Sequence, residues 1–539
     1  MTATIGPPEV GAPPRTVWQL IERALGRYAD LPSLGIIDGD TTSRWSYRDL
    51  GRFVDGAAAT LAATGVKQAD RVLLWGPNQP QWGGIFLALL RQGAIVVPLD
   101  ARSAEDFVAK VAERTNASLL VAGESQLKSL TRQPCPVLRF EELPDLQAAE
   151  KLSPPAPADA GPDDLVEIVF TSGTTGEPKG VMVTNTNLLA NIMAMDLVVH
   201  LDPSFRLLSL LPLSHLFEQV VGLLDVLISG AHTIYLKTLQ PARIFEYFAA
   251  EKVKCMLCVP QVLDLFLQGI EREVRRAGKS RQWELLHRVA ARLPFGWRKR
   301  VFAPLHARMG GQFEFFVVGG AALDPELGRR WENMGVKVVQ GYGTTEACPA
   351  VAANRLDRRV MDAVGWPVEG IEIKIAEDGE VLIRGPLLSP GYWQNAEATE
   401  AAFGGGWYRT GDLGELDASG CLRLRGRKSN LIVLANGQNV YPEDLESALR
   451  GFPAVKDAVV VGLKKGRADI DIHAILLMHD TGQAPAAVRS ANARLSAHQQ
   501  IRGFTLWPDD DFPRTLTLKP RRPIIEQRLA ELQASASGG

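Results

Sequence analysis

The sequence predicts an α/β protein. It has a large multi-subdomain N-terminal domain with parallel-rich sheets and a β-rich subdomain, followed by a small α+β C-terminal domain. Three observations carry this. Short apolar runs alternate with helical segments through the early chain, the pattern of strand–helix–strand units. Glu372 to Arg425 is β-rich, with turn signals at Asp378-Gly379 and Ser419-Gly420. A change of composition near Gly426 then opens a unit of about a hundred residues, enough for one small domain.

Taken in order, Met1 to Pro14 is rich in Pro and Gly and reads as a disordered arm without a secretory signal. Val17 to Tyr28 reads as an amphipathic helix, Arg71 to Trp75 as a strand, Gln81 to Arg91 as a helix and Ala94 to Pro98 as a strand. Lys151 to Gly161 is a Pro/Ala-rich connector leading into the strand Leu165 to Phe170. Past Gly426 come a strand (Leu431 to Leu434), a helix (Pro442 to Arg450), two strands (Ala458 to Gly462, His473 to Met478) and a helix (Ala486 to Leu495). Ala534 to Gly539 reads as a disordered tail.

At 539 residues the chain exceeds one core, which rarely grows past roughly 250–300 residues. A net charge of -2 gives no electrostatic case for nucleic acid. The five cysteines are scattered, which suits a reducing cytoplasm rather than a disulfide framework. Cys255 and Cys258 form a C-x-x-C, but they lie in an apolar run with no second ligand pair, so a buried strand is expected. The apolar stretch Leu207 to Leu236 contains Glu218, Asp225 and Pro212 and reads as core, not as a membrane span.

The sharpest signal is Thr171 to Gly180, T-S-G-T-T-G-E-P-K-G, directly after an apolar strand. Thr171, Ser172, Gly173, Thr174, Thr175 and Gly176 place four hydroxyls and two glycines in six positions. Such a loop can wrap phosphate oxygens with backbone N–H groups and hydroxyls, and Lys179 adds a positive charge. The order is not that of a Walker A loop.

This string resembles the signature of the adenylate-forming superfamily, which includes acyl-CoA synthetases, firefly luciferase and peptide-synthetase adenylation domains. Further segments resemble its other motifs in the same order. Leu211 to Glu218 (L-P-L-S-H-L-F-E) carries His215, which the resemblance places at the acid pocket. Val317 to Leu323, with Gly320 and Ala321, looks like the glycine turn lining adenine and acyl group, and Asp324-Pro325 reads as a helix start. Gln340, Gly341, Tyr342, Gly343, Thr344, Thr345 and Glu346 are similar to the next motif. There Tyr342 would stack on adenine, the threonines would bond the α-phosphate, and Glu346 with Thr171 would hold Mg²⁺. Asp412 in Y-R-T-G-D-L would accept the ribose hydroxyls, and Arg427 would contact ribose or phosphate. Gly437 would sit beside a thiol tunnel, and Lys519 aligns with the catalytic lysine. Three positions depart from the family pattern: Asn185, Ser429 at the hinge and Leu518 where relatives have glycine.

The resemblance implies an adenylation domain over 1–426, a hinge at 427–430 and a small mobile domain over 431–539 carrying Lys519. It implies an AMP-forming ligase in which Lys519, Glu346, Thr174 and His215 serve the chemistry. ATP, Mg²⁺ and a carboxylic acid would form acyl-AMP and pyrophosphate, and CoA or an acyl carrier protein would accept the acyl group. A catalytically silent nucleotide-binding homologue is the alternative from another class. Amino-acid activation is disfavoured, since Val317 to Leu323 offers no acidic residue for an α-amine. The string around His215 looks most like that of long-chain acyl-CoA synthetases, so a medium- to long-chain fatty acid is expected. Segment 272–308 interleaves arginines with Trp283, Leu285, Leu286, Val289 and Trp297. Such a pattern suits either a solvated helical insertion or a helix lying on a membrane surface. A cytoplasmic enzyme, free or membrane-peripheral, is the expected location.

Overall fold

A computed structural model describes residues 14–171, 177–237, 243–434, 438–465, 469–515 and 519–537. Among them, two large sheets form the body. In the six-stranded sheet, Val137–Arg139, Leu119–Ala122, Arg71–Trp75, Ile95–Leu99 and Leu165–Thr171 run parallel, and Lys179–Thr184 pairs antiparallel at one edge. In the nine-stranded sheet, Lys337–Gly343, Phe315–Val318, Cys255–Cys258, Arg206–Ser209, His232–Leu236 and Pro32–Asp38 are parallel neighbours. Both sheets are covered by helices, so their central strands are buried on two faces and read as continuous apolar runs.

The α/β class is therefore as expected, and several elements fall where their patterns put them. The helix Val17–Arg27 starts on a Thr16 cap, and Pro442–Arg450 starts on its proline. Cys255 and Cys258 are buried strand residues and free thiols. The β-rich stretch is a four-stranded antiparallel sheet of Glu372–Ile375, Glu380–Arg384, Tyr408–Leu416 and Leu422–Arg427.

Two expectations fail. The strand expected over Leu431 to Leu434 is only Ile432–Val433, paired with Asn439–Val440. Gly538 and Gly539 lie outside the described residues, and residues 534–537 of the tail expected from Ala534 are not loose. The helix Arg522–Ser537 runs through them, because Glu-Leu-Gln-Ala-Ser-Ala supplies good helix formers and no breaker. Among the described residues no helix is long and apolar enough to cross a membrane.

The C-terminal unit folds around its own core. Val455–Lys465, Asp469–Met478 and Gly503–Leu506 make a three-stranded sheet, and Leu445 and Leu449 are buried in one core with Ala474 and Leu476 of its middle strand. Contacts tie the unit to the body. Asn430 donates to Glu443 at 3.0 Å, and Ser447 donates to Asp324 at 3.3 Å. Lys428 Nζ lies 2.6 Å from Asp378 and 3.0 Å from the buried carboxylate of Glu380.

Candidate active site

One cavity of about 2070 Å³ opens between the two large sheets, the antiparallel sheet and the C-terminal unit. Pockets for a drug-sized ligand run to roughly 300–1,000 Å³, so this one has room for two substrates side by side.

Its polar end is built by strand ends and tight turns. Thr171 closes one strand and Lys179 opens the next, and the two are register partners. The expected phosphate loop therefore joins two antiparallel strands, and the next helix begins only at Asn185. Ser172, Gly173, Thr174, Thr175 and Gly176 lie outside the described residues, as do Gly437 and Leu518. Lys179 Nζ sits 4.9 Å above the ring of Tyr392, a cation–π contact. The Tyr392 hydroxyl donates to Glu346 at 2.9 Å.

The strand Lys337–Gly343 delivers Gly341, Tyr342 and Gly343 to the wall, followed by Thr344, Thr345 and Glu346. Glycine is required at 343, where a β-carbon would stand 1.9 Å from the Pro349 carbonyl oxygen. Tyr342 donates its hydroxyl to Asp412 at 2.6 Å, and Arg427 Nε lies 2.7 Å from the other oxygen of that carboxylate. Burial raises the Asp412 carboxyl above the usual range, while Arg427 and the Tyr342 hydrogen bond pull it back. The pairing follows from the fold, since Asp412 and Arg427 are register partners on adjacent strands.

Lys519 reaches the same cavity from the C-terminal unit, on a turn closed by Thr515 N–H to Lys519 O at 2.7 Å. Its side chain is open to the cleft but ringed by protein. Desolvation first, then Arg427, hold its pKa below the ordinary lysine value, and Asp412 acts the other way. His215 lines the cavity too, and its pKa is lowered chiefly by burial, with Arg102 and Lys519 adding to the effect. It is therefore a neutral imidazole near neutral pH.

Gly320 is on the wall, in the left-handed conformation that glycine permits, with φ +80°. Ala321 and Gln340 are not on the wall. Ala321 follows the turn outward, and the side chain of Gln340 is buried in the strand below the cavity. Asp324 caps the helix Pro325–Asn333, so the glycine turn serves both wall and helix start.

Beyond His215 the cavity turns apolar. Met195, Val198, Phe217, Val221, Val262 and Val339 line it. Here lies a buried π-helical segment, Glu218–Leu224. Burial pushes the Glu218 carboxyl up to about 8, so it is largely uncharged near neutral pH, and burial likewise raises Asp225 well above its usual range. Sequence reasoning missed Tyr392 and Glu380, which lie in no motif string, and passed over Lys428 and Glu218, which lie in strings read for other residues. Tyr392 lies in the connection between the second and third strands of the antiparallel sheet, where an aromatic residue carries no signal of its own.

The profile of AMP-binding enzymes matches residues 21–393. The chain belongs to that family. This AMP-binding enzyme is 30% identical over 546 residues to the long-chain-fatty-acid–CoA ligase FadD15 of Mycobacterium bovis, with 88% of this chain and 89% of that protein covered. It is 28% identical over 436 residues to a feruloyl-CoA synthase of an Amycolatopsis species, covering 78% and 81% of the two chains. Among solved structures, ATP-bound MatB from Rhodopseudomonas palustris shares the fold, with a TM-score of 0.79, 22% identity and coverage of 95% and 98%. This AMP-binding enzyme is an acid:thiol ligase that forms AMP, with ATP, an acid and CoA as its substrates.

Proposed function

We propose that this ligase activates a medium- to long-chain fatty acid as its acyl-adenylate and passes the acyl group to CoA. The observation that carries the reading is the continuity of one cavity. Thr171, Lys179, Tyr342, Glu346, Arg427 and Lys519 stand at one end, and the valine-lined arm leads away past His215. A carboxylate entering from the apolar arm would meet an ATP α-phosphate at the polar end. The name of the FadD15 relative and the apolar lining of the arm support the fatty acid, whereas the feruloyl-CoA synthase relative points to aromatic acids.

The chemistry follows from charge. Carboxylate and triphosphate repel, so the site must supply fixed donors and positive charge. Lys179 of the body and Lys519 of the C-terminal unit both supply charge to the cavity, and the buried Thr344 hydroxyl, which makes no hydrogen bond to the described residues, is a donor in reserve. Asp412 would accept the ribose hydroxyls, its carboxylate oriented by Tyr342 and Arg427. Glu346 and Thr171 would hold Mg²⁺, and a single carboxylate suits an ion that keeps water and phosphate oxygens as its other ligands. When bound, that ion neutralises developing phosphate charge. His215, neutral at the mouth of the apolar arm, would orient the acid.

Lys519 would block the thiol in the second step. We propose a body over 1–426, a hinge over 427–430 and a unit over 431–539 that turns between the two half-reactions. Lys428, bonded to Asp378 and Glu380, would hold the first position, so Ser429 need not carry that charge. Pyrophosphate release measured across acids of graded chain length, with CoA present, tests the reading. A maximum at medium or long chains is expected. A maximum with cinnamic or benzoic acids would replace the fatty acid with an aromatic one.

A further inference from the structure

The segment after Val259 does something the cavity does not require. Helix Pro260–Arg276 begins at the cavity, where Val259 and Val262 form its wall, and runs about 25 Å outward at 1.5 Å per residue. At its far end Arg272, Arg275 and Arg276 are exposed. Helix Ser280–Ala291 follows, and its two faces differ. Trp283, His287 and Ala290 point inward and pack, with Phe302 5.4 Å from the Trp283 ring centre. On the outward face Leu285 and Val289, one turn apart, are 56% and 43% exposed. Arg281, Arg288 and Arg292 flank them at helical spacing and are also exposed. Trp297 on the next helix, Phe295–Val301, is 56% exposed and carries the Arg300 guanidinium 4.4 Å above its ring.

Leucine and valine stripes on a helix ordinarily face a core. This one faces outward, and the inward face already has its own partners. Charge names what could cover it. Between Arg272 and Arg300 stand ten basic residues against two acidic ones, Glu273 and Glu284, and these two are paired with Arg308 and Arg330. Arg298 and Lys299 are tied to backbone carbonyls of the body, so they serve the fold. Among the described residues, Arg281 and Arg292 have no such ties. Exposed leucine, valine and tryptophan ringed by arginines match the interface of an anionic bilayer, where apolar groups enter the headgroup boundary and arginines meet phosphates.

We propose that the outward face of helices Ser280–Ala291 and Phe295–Val301 docks this enzyme on an anionic lipid surface. The inference stands apart from the acid proposed above, although a chain that dissolves poorly in water would be found at such a surface. The full chain is sedimented with vesicles of phosphatidylcholine alone and of phosphatidylcholine with phosphatidylglycerol. Binding at least ten-fold stronger to the anionic vesicles is expected, falling with added salt. L285E/V289E and, separately, R281Q/R288Q/R292Q each weaken it by about ten-fold or more. Both variants keep wild-type pyrophosphate release with a short, water-soluble acid, which also shows that they fold; if one fails to fold, the other carries the test. No preference for anionic vesicles, or wild-type binding by a folded variant, overturns the proposal, and in that case a protein partner takes the face. A wrong acid assignment would leave vesicle binding unchanged.

Discussion

At the polar end of the cavity, each carboxylate is held by named donors: Asp412 by Tyr342 and Arg427, Glu346 by Tyr392. At the apolar end, Glu218 and Asp225 are buried, and among the described residues neither pairs with a lysine or arginine. The first pair is positioned to receive ligand groups. The second is pushed toward its neutral form by burial, which suits an apolar wall built with acids. Identical side-chain chemistry thus serves opposite purposes, and the surroundings decide which.

The largest expected effect separates the two ends outright. Lys519→Ala should cut adenylation by roughly a hundred- to thousand-fold, the usual loss for one preorganised donor. It should leave thiol transfer from a supplied acyl-adenylate near wild type. Equal loss in the two half-reactions would show that Lys519 acts structurally. Next, Asp412→Asn removes the charge behind hydrogen bonds worth about 1.5–3 kcal/mol each. The KM for ATP should rise about ten- to a hundred-fold, with the KM for the acid little changed. The mirror experiment is Val262→Phe, which narrows the apolar arm. Preference should shift toward shorter acids by about ten-fold, as pocket methylenes are worth about 1–3 kcal/mol. An altered KM for ATP instead would mean that the two ends are not separate.

Two pH experiments sharpen the contrast. The Lys519 pKa lies below the ordinary lysine value, so adenylation should fall as pH rises through it, earlier than for a free lysine, while thiol transfer does not. Initial rates of the two half-reactions across alkaline pH decide this. The smallest effect concerns Glu218. Its carboxyl titrates at about 8 in the folded chain against 4.5 ordinarily, so its contribution to stability is complete below 4.5 and is lost as pH rises through about 8. Glu218→Gln, which cannot ionise, should flatten the fall in Tm over that window while changing it little at pH 4–5. An unchanged slope would place the burden on other groups.

Much of the polar end was legible because phosphate and ribose admit few residue types. Lys179, Tyr342, Glu346, Asp412 and Lys519 come from distant strings and line or border one cavity. Gln340 and Ala321 show the limit of a string. Gln340 and Tyr342 stand two apart on one strand, so period two alone would give them one face, yet Tyr342 lines the cavity while Gln340 is buried and does not. The apolar arm could not be read, because Met195, Val221, Val262 and Val339 are ordinary core residues until the fold leaves them beside a void. The fold class was legible from strand–helix alternation. The end of the last helix was not, since small residues such as Ala534 and Ser535 suit helix and tail alike.

Asn185 departs from the family pattern, and its contacts give it a separate duty. Its side-chain oxygen accepts from the Val17 N–H at 3.0 Å, and its amide donates to Gly161 at 3.0 Å. The first helix is thereby stapled to the start of the helix after the hairpin that carries Thr171 and Lys179. Anyone shortening this protein from its front should stop before Thr16. A version cut at Trp18 would lose the staple and loosen the anchor of that hairpin, so weaker nucleotide affinity would follow from a deletion far away along the chain.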